Sequence, residues 1–369
     1  MDSLRFLPST SDDLYPLTAL RDVQCLHFGA RSIADQWRDA LLQQPKVAIH
    51  PRLLPTRDAV QFVSDLEPGQ TWTWKGRLLA QSGDGSAPPL ERDPQHAWLH
   101  DCASLFEQAG LGIESDTERL KSVWRLRTLG EDEREAWSAR GLVVHGPMDR
   151  VLIGPGATLR DATLNTEQGV VVLAPDSEVM EGCRIRGPFV LGEGSTLKMG
   201  SLVYGPTTIG KGCKVGGELS NVVIHDWSNK AHGGFLGNAV IGSWCNLGAE
   251  TTCSNLKNTY GDIAEWNQAE GAFQSKGRTF CGLIMGDHSK TAIHTAFSTA
   301  TVVGAICNVF GDGTPSRHVP HFSWGQTGDD CQDLEKALST CRKVMARRDQ
   351  ELSKMEEQRI RALFAKERG

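Results

Sequence analysis

Leu173–Val215 reads LAPDSEVMEGCRIRGPFVLGEGSTLKMGSLVYGPTTIGKGCKV, and within it Leu173, Val179, Ile185, Leu191, Leu197, Val203, Ile209 and Val215 each follow the last by six. A helix repeats every 3.6 residues and a strand every two, so neither produces this step; a parallel coil with three sides of six residues does. Gly192, Gly210 and Gly216 follow their aliphatics, and most other positions are small or polar, so the aliphatic is the residue expected to point inward. The phase returns at Phe235, Ile241, Leu247 and Cys253, and more loosely at Met285, Phe297, Val303 and Val309. The expected fold is a left-handed parallel β-helix of hexapeptide repeats over residues 141–310. A sandwich of short strands would instead carry turn clusters about every eight to twelve residues.

The flanks have a different character. Residues 1–140 read as a small α/β domain. Ser32-Ile-Ala-Asp35 opens a helix carrying Ile33, Trp37 and Leu41, Val47–His50 reads as a strand, and Thr71–Trp74 pairs with Arg77–Ala80 across Lys75-Gly76. Trp98–Gly110 has helical spacing and Ser82–Pro94 the composition of a loop. Residues 311–329 are expected to connect the coil to a single helix over 330–369. Its apolar stripe through Leu334, Leu338, Cys341, Met345, Leu352 and Met355 is interrupted by Arg348. That stripe fits packing along its own coil or a subunit contact, and on either reading the helix stays out of the chemistry.

Composition narrows the function classes. A net charge of −6 with no basic stripe interleaved with aromatics argues against nucleic acid. Ten cysteines without a C-x-x-C pair argue against a zinc ribbon. Neither a signal peptide in Met1–Ser11 nor a long apolar run is evident, so a cytoplasmic protein without a membrane span is expected. Metal binding is not expected either, because His288 and His294 have no partners at a diagnostic spacing.

Two breaks in the six-residue phase draw attention to chemistry. Val215 to Phe235 is twenty residues where eighteen complete a turn, which predicts a two-residue bulge around Trp227–His232 containing Lys230 and His232. Cys253 to Met285 leaves room for a loop over 258–279. Loops on a rigid solenoid are common places for binding residues. A histidine there is suited to take a proton from an attacking amine, backbone N–H groups around Gly248 and Ala249 to receive a thioester oxyanion, and Glu250, eighteen residues after His232, to orient the imidazole. The plainer alternative is a solvated turn histidine. Ser289 and Lys290 are expected to line the cleft for coenzyme A, and Lys211 and Lys214 to be surface charges.

The segments Ser228-Asn-Lys-Ala-His-Gly-Gly-Phe-Leu-Gly-Asn238, Ile241-Gly-Ser-Trp-Cys-Asn-Leu-Gly-Ala249 and Cys253-Ser-Asn255 resemble a known enzyme family. It is the acetyltransferase half of the bifunctional glucosamine-1-phosphate acetyltransferase/N-acetylglucosamine-1-phosphate uridyltransferase. Over nearly the whole chain, through Pro16-Leu-Thr18, Arg52-Leu-Leu-Pro55, Gly282-Leu-Ile-Met-Gly-Asp-His-Ser-Lys290 and Phe322-Ser-Trp-Gly325, the sequence is similar to the GlmU-related nucleotidyltransferase/acyltransferase subfamily. The resemblance implies His232 as general base, Asn246, Ala249 and Asn255 around the sugar and thioester, and Lys198 against a phosphate. Phe235 stands where the enzyme has a sugar-binding tyrosine, and Lys230 matches the lysine before the catalytic histidine, one residue closer to it; both are expected to bind the substrate. It further implies acetyl-CoA as co-substrate, a small-molecule sugar phosphate or sugar nucleotide as acceptor, and Mg²⁺ only for an active N-terminal domain. Side-by-side packing of three coils makes a homotrimer the expected assembly.

Pro16–Gly29 is similar to the P-L-T segment of sugar-nucleotide pyrophosphorylases, whose preceding glycine-rich loop cradles phosphates, while Met1–Tyr15 contains no glycine. Three functions remain open: an acyl-CoA-dependent N-acyltransferase in cell-envelope precursor synthesis, a sugar-1-phosphate nucleotidyltransferase with a coil scaffold, and a non-catalytic sugar-nucleotide binder.

Overall fold

The computed structural model describes residues 4–8, 14–42 and 46–368. Part of the glycine-free segment before Pro16 therefore lies outside the described residues.

From Val143 onward the chain winds into a parallel β-coil with three sides. On the first side, Val151–Ile153, Val171–Leu173, Phe189–Leu191 and Thr207–Ile209 pair in succession. They are followed by the ends of Glu218–Ile224 and Phe235–Ile241, then Ile284–Met285, Val302–Val303 and His318–Val319. The second side stacks Thr158–Leu159, Glu178–Val179, Thr196–Leu197, Lys214–Val215 and Asn229–Lys230. It continues through Asn246 and Lys290 to Asn308 and Trp324. The third side stacks Val143–His145, Thr163–Asn165, Arg184–Arg186 and Leu202–Tyr204, then the starts of Glu218–Ile224 and Phe235–Ile241. All eight aliphatics of the six-step series are buried inside the coil, each burial stabilising it by about 1.5–3 kcal/mol.

Three expectations about the coil change. Parallel pairing runs on to His318–Val319, so residues 311–329 complete a further turn of coil instead of merely connecting it to the tail. Phe235 is half-buried, and Leu236 takes the inward position. The predicted bulge is a shortening. Val215 lies level with Lys230 and Ile209 with Ile224, so each of these turns spans fifteen residues, and the next turn, Asn229 to Asn246, spans seventeen. Residues are lost at the corners, and the strand Asn229–Lys230 stays in line with its neighbours.

The first side differs from the others in being apolar on both faces. Leu152, Val172, Val190, Val223, Val240, Ile284 and Val302, each preceding an inward residue, are buried on the outer face as well. The N-terminal region covers them. It holds a five-stranded sheet ordered Leu4–Phe6, Val47–Ile49, Arg77–Ser82, Thr71–Trp74 and Pro89–Glu91, together with helices α1 (Ile33–Ala40), α2 (Arg57–Ser64), α3 (Ala103–Glu107), α4 (Ala109–Val123) and α5 (Arg134–Ser138). Ser32 caps α1 by accepting from the Asp35 N–H. The helical spacing from Trp98 resolves into α3 and α4, which begin at Ala103 and break at Gln108. Gly29 has φ +66°, and a Cβ there would sit 2.2 Å from the Gly112 carbonyl carbon, so only glycine allows α4 to approach this closely.

The expected single C-terminal helix is a pair, α6 (Leu334–Ala346) and α7 (Lys354–Arg368). Ala337, Leu338, Cys341 and Met345 are its buried stripe, and α6 packs with Ile360 of α7 against Ala305, Ile306 and Phe322 of the coil. Continuing α6 would carry Arg348 onto that apolar seam. The chain turns there instead, with Asp349 at φ 54°.

The 258–279 segment forms an antiparallel hairpin, Ala264–Asn267 with Ala272–Ser275. It folds back onto its own chain: Arg278 bonds Asp101 and Glu107, Trp266 stacks on His318 at 3.8 Å, and Arg317 lies 4.4 Å over Phe273.

Candidate active site

The second side presents an outward column, Lys214, Asn229, Asn246, Lys290 and Asn308, one residue per turn. Between this column and the end of α6 lies a groove of about 650 Å³. His232, Asn246, Gly248, Ala249 and Lys290 all line it. Five of the site residues expected from sequence thus share one concave surface. His232 is exposed at the corner that follows Asn229–Lys230.

Several other lining residues were not anticipated. Arg347, Arg348 and Val344 come from the end of α6 and the turn after it, so the C-terminal tail does belong to the candidate site. The Arg348 guanidinium donates to Asn229 Oδ1 at 2.9 Å. Lys214, expected as a plain surface charge, also lines the groove, and its register with Asn229 was the available clue. Trp227 and Trp244 stack at 5.3 Å with 9° between their planes and form one wall. The four cations Lys214, Lys290, Arg347 and Arg348 meet here, and no lining residue is an aspartate or glutamate. On a chain of net charge −6 this is a local inversion of sign, which draws in anions.

Other expected site residues lie elsewhere. Ser289 is wholly buried, donating to the Gly304 carbonyl at 2.6 Å and accepting from the Cys307 N–H at 2.9 Å. It fastens one turn to the next and does not line the cleft. Ser195 and Ser228 do the same with Gly210 and Cys213, and with Gly242 and Cys245. Lys290 reaches back to donate to the His288 carbonyl at 2.8 Å, and burial pushes its pKa down.

Lys230 occupies an inward position, level with Val215, and is 1% exposed. Its ammonium donates to the carbonyls of Gly216, His232 and Gly233, each at 3.0 Å. All three donors are used, so it is not a substrate ligand. Glu250 is an exposed turn residue at φ 59°. Because the local turn is seventeen residues and not eighteen, its carboxylate lies beside Gly233, where a Cβ would be 2.2 Å from Oε1, and not in register with His232. The expected imidazole partner is thus displaced by one residue. Gly248 donates its N–H inward to Thr291, at 3.0 Å to the hydroxyl, which leaves Ala249 as the backbone donor of that pair for chemistry.

Phe235 and Asn255 meet on the third side around Gly237, where Asn255 Nδ2 donates to Asn238 Oδ1 at 2.8 Å. They do not join the groove. Lys198 is level with Gly216, and Gly216 with Ala231, so it shares the corner column two turns from Ala231 and does not line the groove.

Behind the tryptophan pair the N-terminal region is locked to the coil. Arg21 bonds both carboxylate oxygens of Asp287, and the His27 N–H donates to His225 Nε2 at 3.1 Å. The His225 ring is buried and pushed towards neutrality by burial, as is His288, whose pKa falls to about 3. Arg31 is held by Asp116 and Asp39. Both arginines serve ion pairs within the fold. Among the described residues no group of three His, Cys, Asp or Glu side chains is placed to hold a metal, and no helix is long and apolar enough to cross a membrane.

No family model and no curated protein matches the chain. Among solved structures, the UDP-N-acetylglucosamine acyltransferase of Arabidopsis is similar at 17% identity and a TM-score of 0.25, covering 55% of this chain and 75% of that one. At that level the likeness decides nothing about chemistry, which rests on this chain's own coil and groove.

Proposed function

We propose that the groove on the second side is the active site of an acyl-coenzyme-A-dependent N-acyltransferase, with acetyl-CoA as donor and an amino sugar phosphate or sugar nucleotide as acceptor. The observation that carries this reading is the meeting of an exposed histidine, His232, with Asn246 and four unopposed cations in one groove. Coenzyme A and a phosphorylated sugar are both polyanions, and Lys214, Lys290, Arg347 and Arg348 supply matching charge. The tryptophan wall offers a flat apolar surface for a base or ring.

In the proposed reaction the acceptor amine attacks the thioester carbonyl, forming the C–N bond. The imidazole of His232 takes the proton the nitrogen releases. The carbonyl oxygen gains charge, and the Ala249 N–H and Asn246 amide are the nearby donors for it. Collapse breaks the C–S bond, and the thiolate leaves with the proton held by His232. Glu250 contributes through the field at the Gly233 corner and is not in register with the imidazole.

The coil is proposed to be left-handed and the assembly a homotrimer, with exposed Leu202 and Tyr204 of the third side available for contacts between coils. Sedimentation of the full chain tests the assembly. The activity is tested by incubating the chain with acetyl-CoA and a panel of amino sugar phosphates, followed by mass spectrometry, with His232→Ala in parallel. Acylated product from wild type alone supports the reading, and equal product from both proteins removes His232 from it.

A further inference from the structure

Lys230 interrupts an otherwise apolar inward row. Val215 lies beneath it and Leu247 above it, both buried, yet the position holds a charged side chain. An ammonium taken out of water costs several kcal/mol unless all its donors are met. Here they are met by main-chain oxygens: Gly216 from the turn below, and His232 and Gly233 from its own turn. The corner is built to admit it. A Cβ on Gly217 would stand 2.6 Å from Nζ, and Gly217 has φ +81°, a conformation side chains rarely adopt. Gly234, at φ +98°, sits on the other flank. Burial lowers the pKa of Lys230, and the Glu250 carboxylate, which lies over Gly233, opposes part of that effect. An internal cation is therefore enclosed by carbonyls and glycines at the corner that carries the exposed His232.

We infer that Lys230 is a positioning residue: its ammonium, acting from inside the coil, grips the His232 and Gly233 carbonyls and thereby sets the direction in which the His232 imidazole enters the groove. A glycine-rich corner has little stiffness of its own, because Gly233 and Gly234 lack the side chains that restrict backbone torsions. Two bonds from one ammonium to consecutive carbonyls supply that stiffness, and the third anchors it to the adjacent turn. The kinetic consequence rests on the acyltransferase reading; the structural one does not.

The test uses Lys230→Met, which fills the row with an apolar chain of similar length, and Gly217→Ala, which leaves the charge but crowds Nζ. The first readout needs no substrate. In protein labelled with ¹⁵N-histidine, the ring signal of His232, identified by its absence in His232→Ala, should change from one narrow resonance to an exchange-broadened or shifted one in both variants. Hydrogen exchange of peptides spanning 231–235 should rise at least tenfold, with peptides from the Leu173–Ile209 turns unchanged. The second readout is acetyl transfer, where kcat should fall about 10²-fold and KM stay within about threefold. A raised KM at full kcat would return Lys230 to substrate binding. A lowered melting temperature with unchanged His232 resonance and exchange would reduce it to a core plug and overturn the inference. If the wild type transfers no acyl group to any acceptor, the acyltransferase reading fails, while the resonance and exchange data still decide the role of Lys230.

Discussion

Ser289 separates a fold role from a site role cleanly, because the two make opposite predictions for Ser289→Ala. Its hydroxyl donates to the Gly304 carbonyl and accepts from the Cys307 N–H in a corner with no exposed surface. Truncation leaves both backbone groups buried without this partner. An orphaned buried group costs about 1–3 kcal/mol, so after partial relaxation the loss should total about 2–4 kcal/mol. In urea unfolding followed by tryptophan fluorescence, with an m of about 3 kcal/mol/M, the midpoint should fall by about 1 M. Ser195→Ala and Ser228→Ala should behave alike, since each makes the same pair of bonds. Ser254→Ala, at an exposed position, should change stability by no more than about 0.5 kcal/mol. The KM for acetyl-CoA should be unaffected in all four. An unshifted midpoint in Ser289→Ala together with a several-fold higher KM for acetyl-CoA would show that the hydroxyl faces ligand and that the corner has been misread.

His232→Ala should lower acyl transfer by about 10²–10⁴-fold with little change in unfolding midpoint, since the side chain is exposed and opens no cavity; unimpaired turnover would end the general-base assignment. Arg347→Ala with Arg348→Ala should weaken binding of acetyl-CoA at least tenfold in titration calorimetry, and the loss should shrink at high salt, whereas equal affinity at every salt concentration would take the tail out of the site. The folded pKa of Lys230 is about 8, lowered by burial against the opposing pull of Glu250, and its unfolded value is about 10.4. Between those values the unfolded chain binds more protons, so this group makes the protein more stable as pH rises from about 8 to about 10.4 and less stable as pH falls through about 8. Comparing urea midpoints at pH 7.5 and pH 10, that increment should be present in wild type and missing in Lys230→Met; identical pH dependence would mean that the amine titrates as if solvated.

The coil was legible in the sequence because one inward aliphatic every six residues satisfies only a three-sided turn, and Leu173 to Val215 keeps that step without error. The gathering of His232, Asn246, Gly248, Ala249 and Lys290 was legible for a related reason: residues near whole turns apart fall on the same side of a parallel coil. Counting failed where corners shorten. A fifteen-residue turn reads, by periodicity alone, as an insertion further along, so counting puts Phe235 inward in the position that Leu236 holds, and sets Glu250 level with His232 when it lies at Gly233. Nor does hydrophobic patterning admit a lysine to the interior, since the favourable partners of Lys230 are backbone carbonyls that have no signature in the sequence. Only the tertiary structure decided that the apolar outer face of the first side lies under the N-terminal region, and that the tail turns at Arg347 and Arg348 to close the groove. The sequence carries the period of a solenoid because each turn repeats the same burial; what docks on its sides depends on contacts far apart along the chain, which no local pattern encodes.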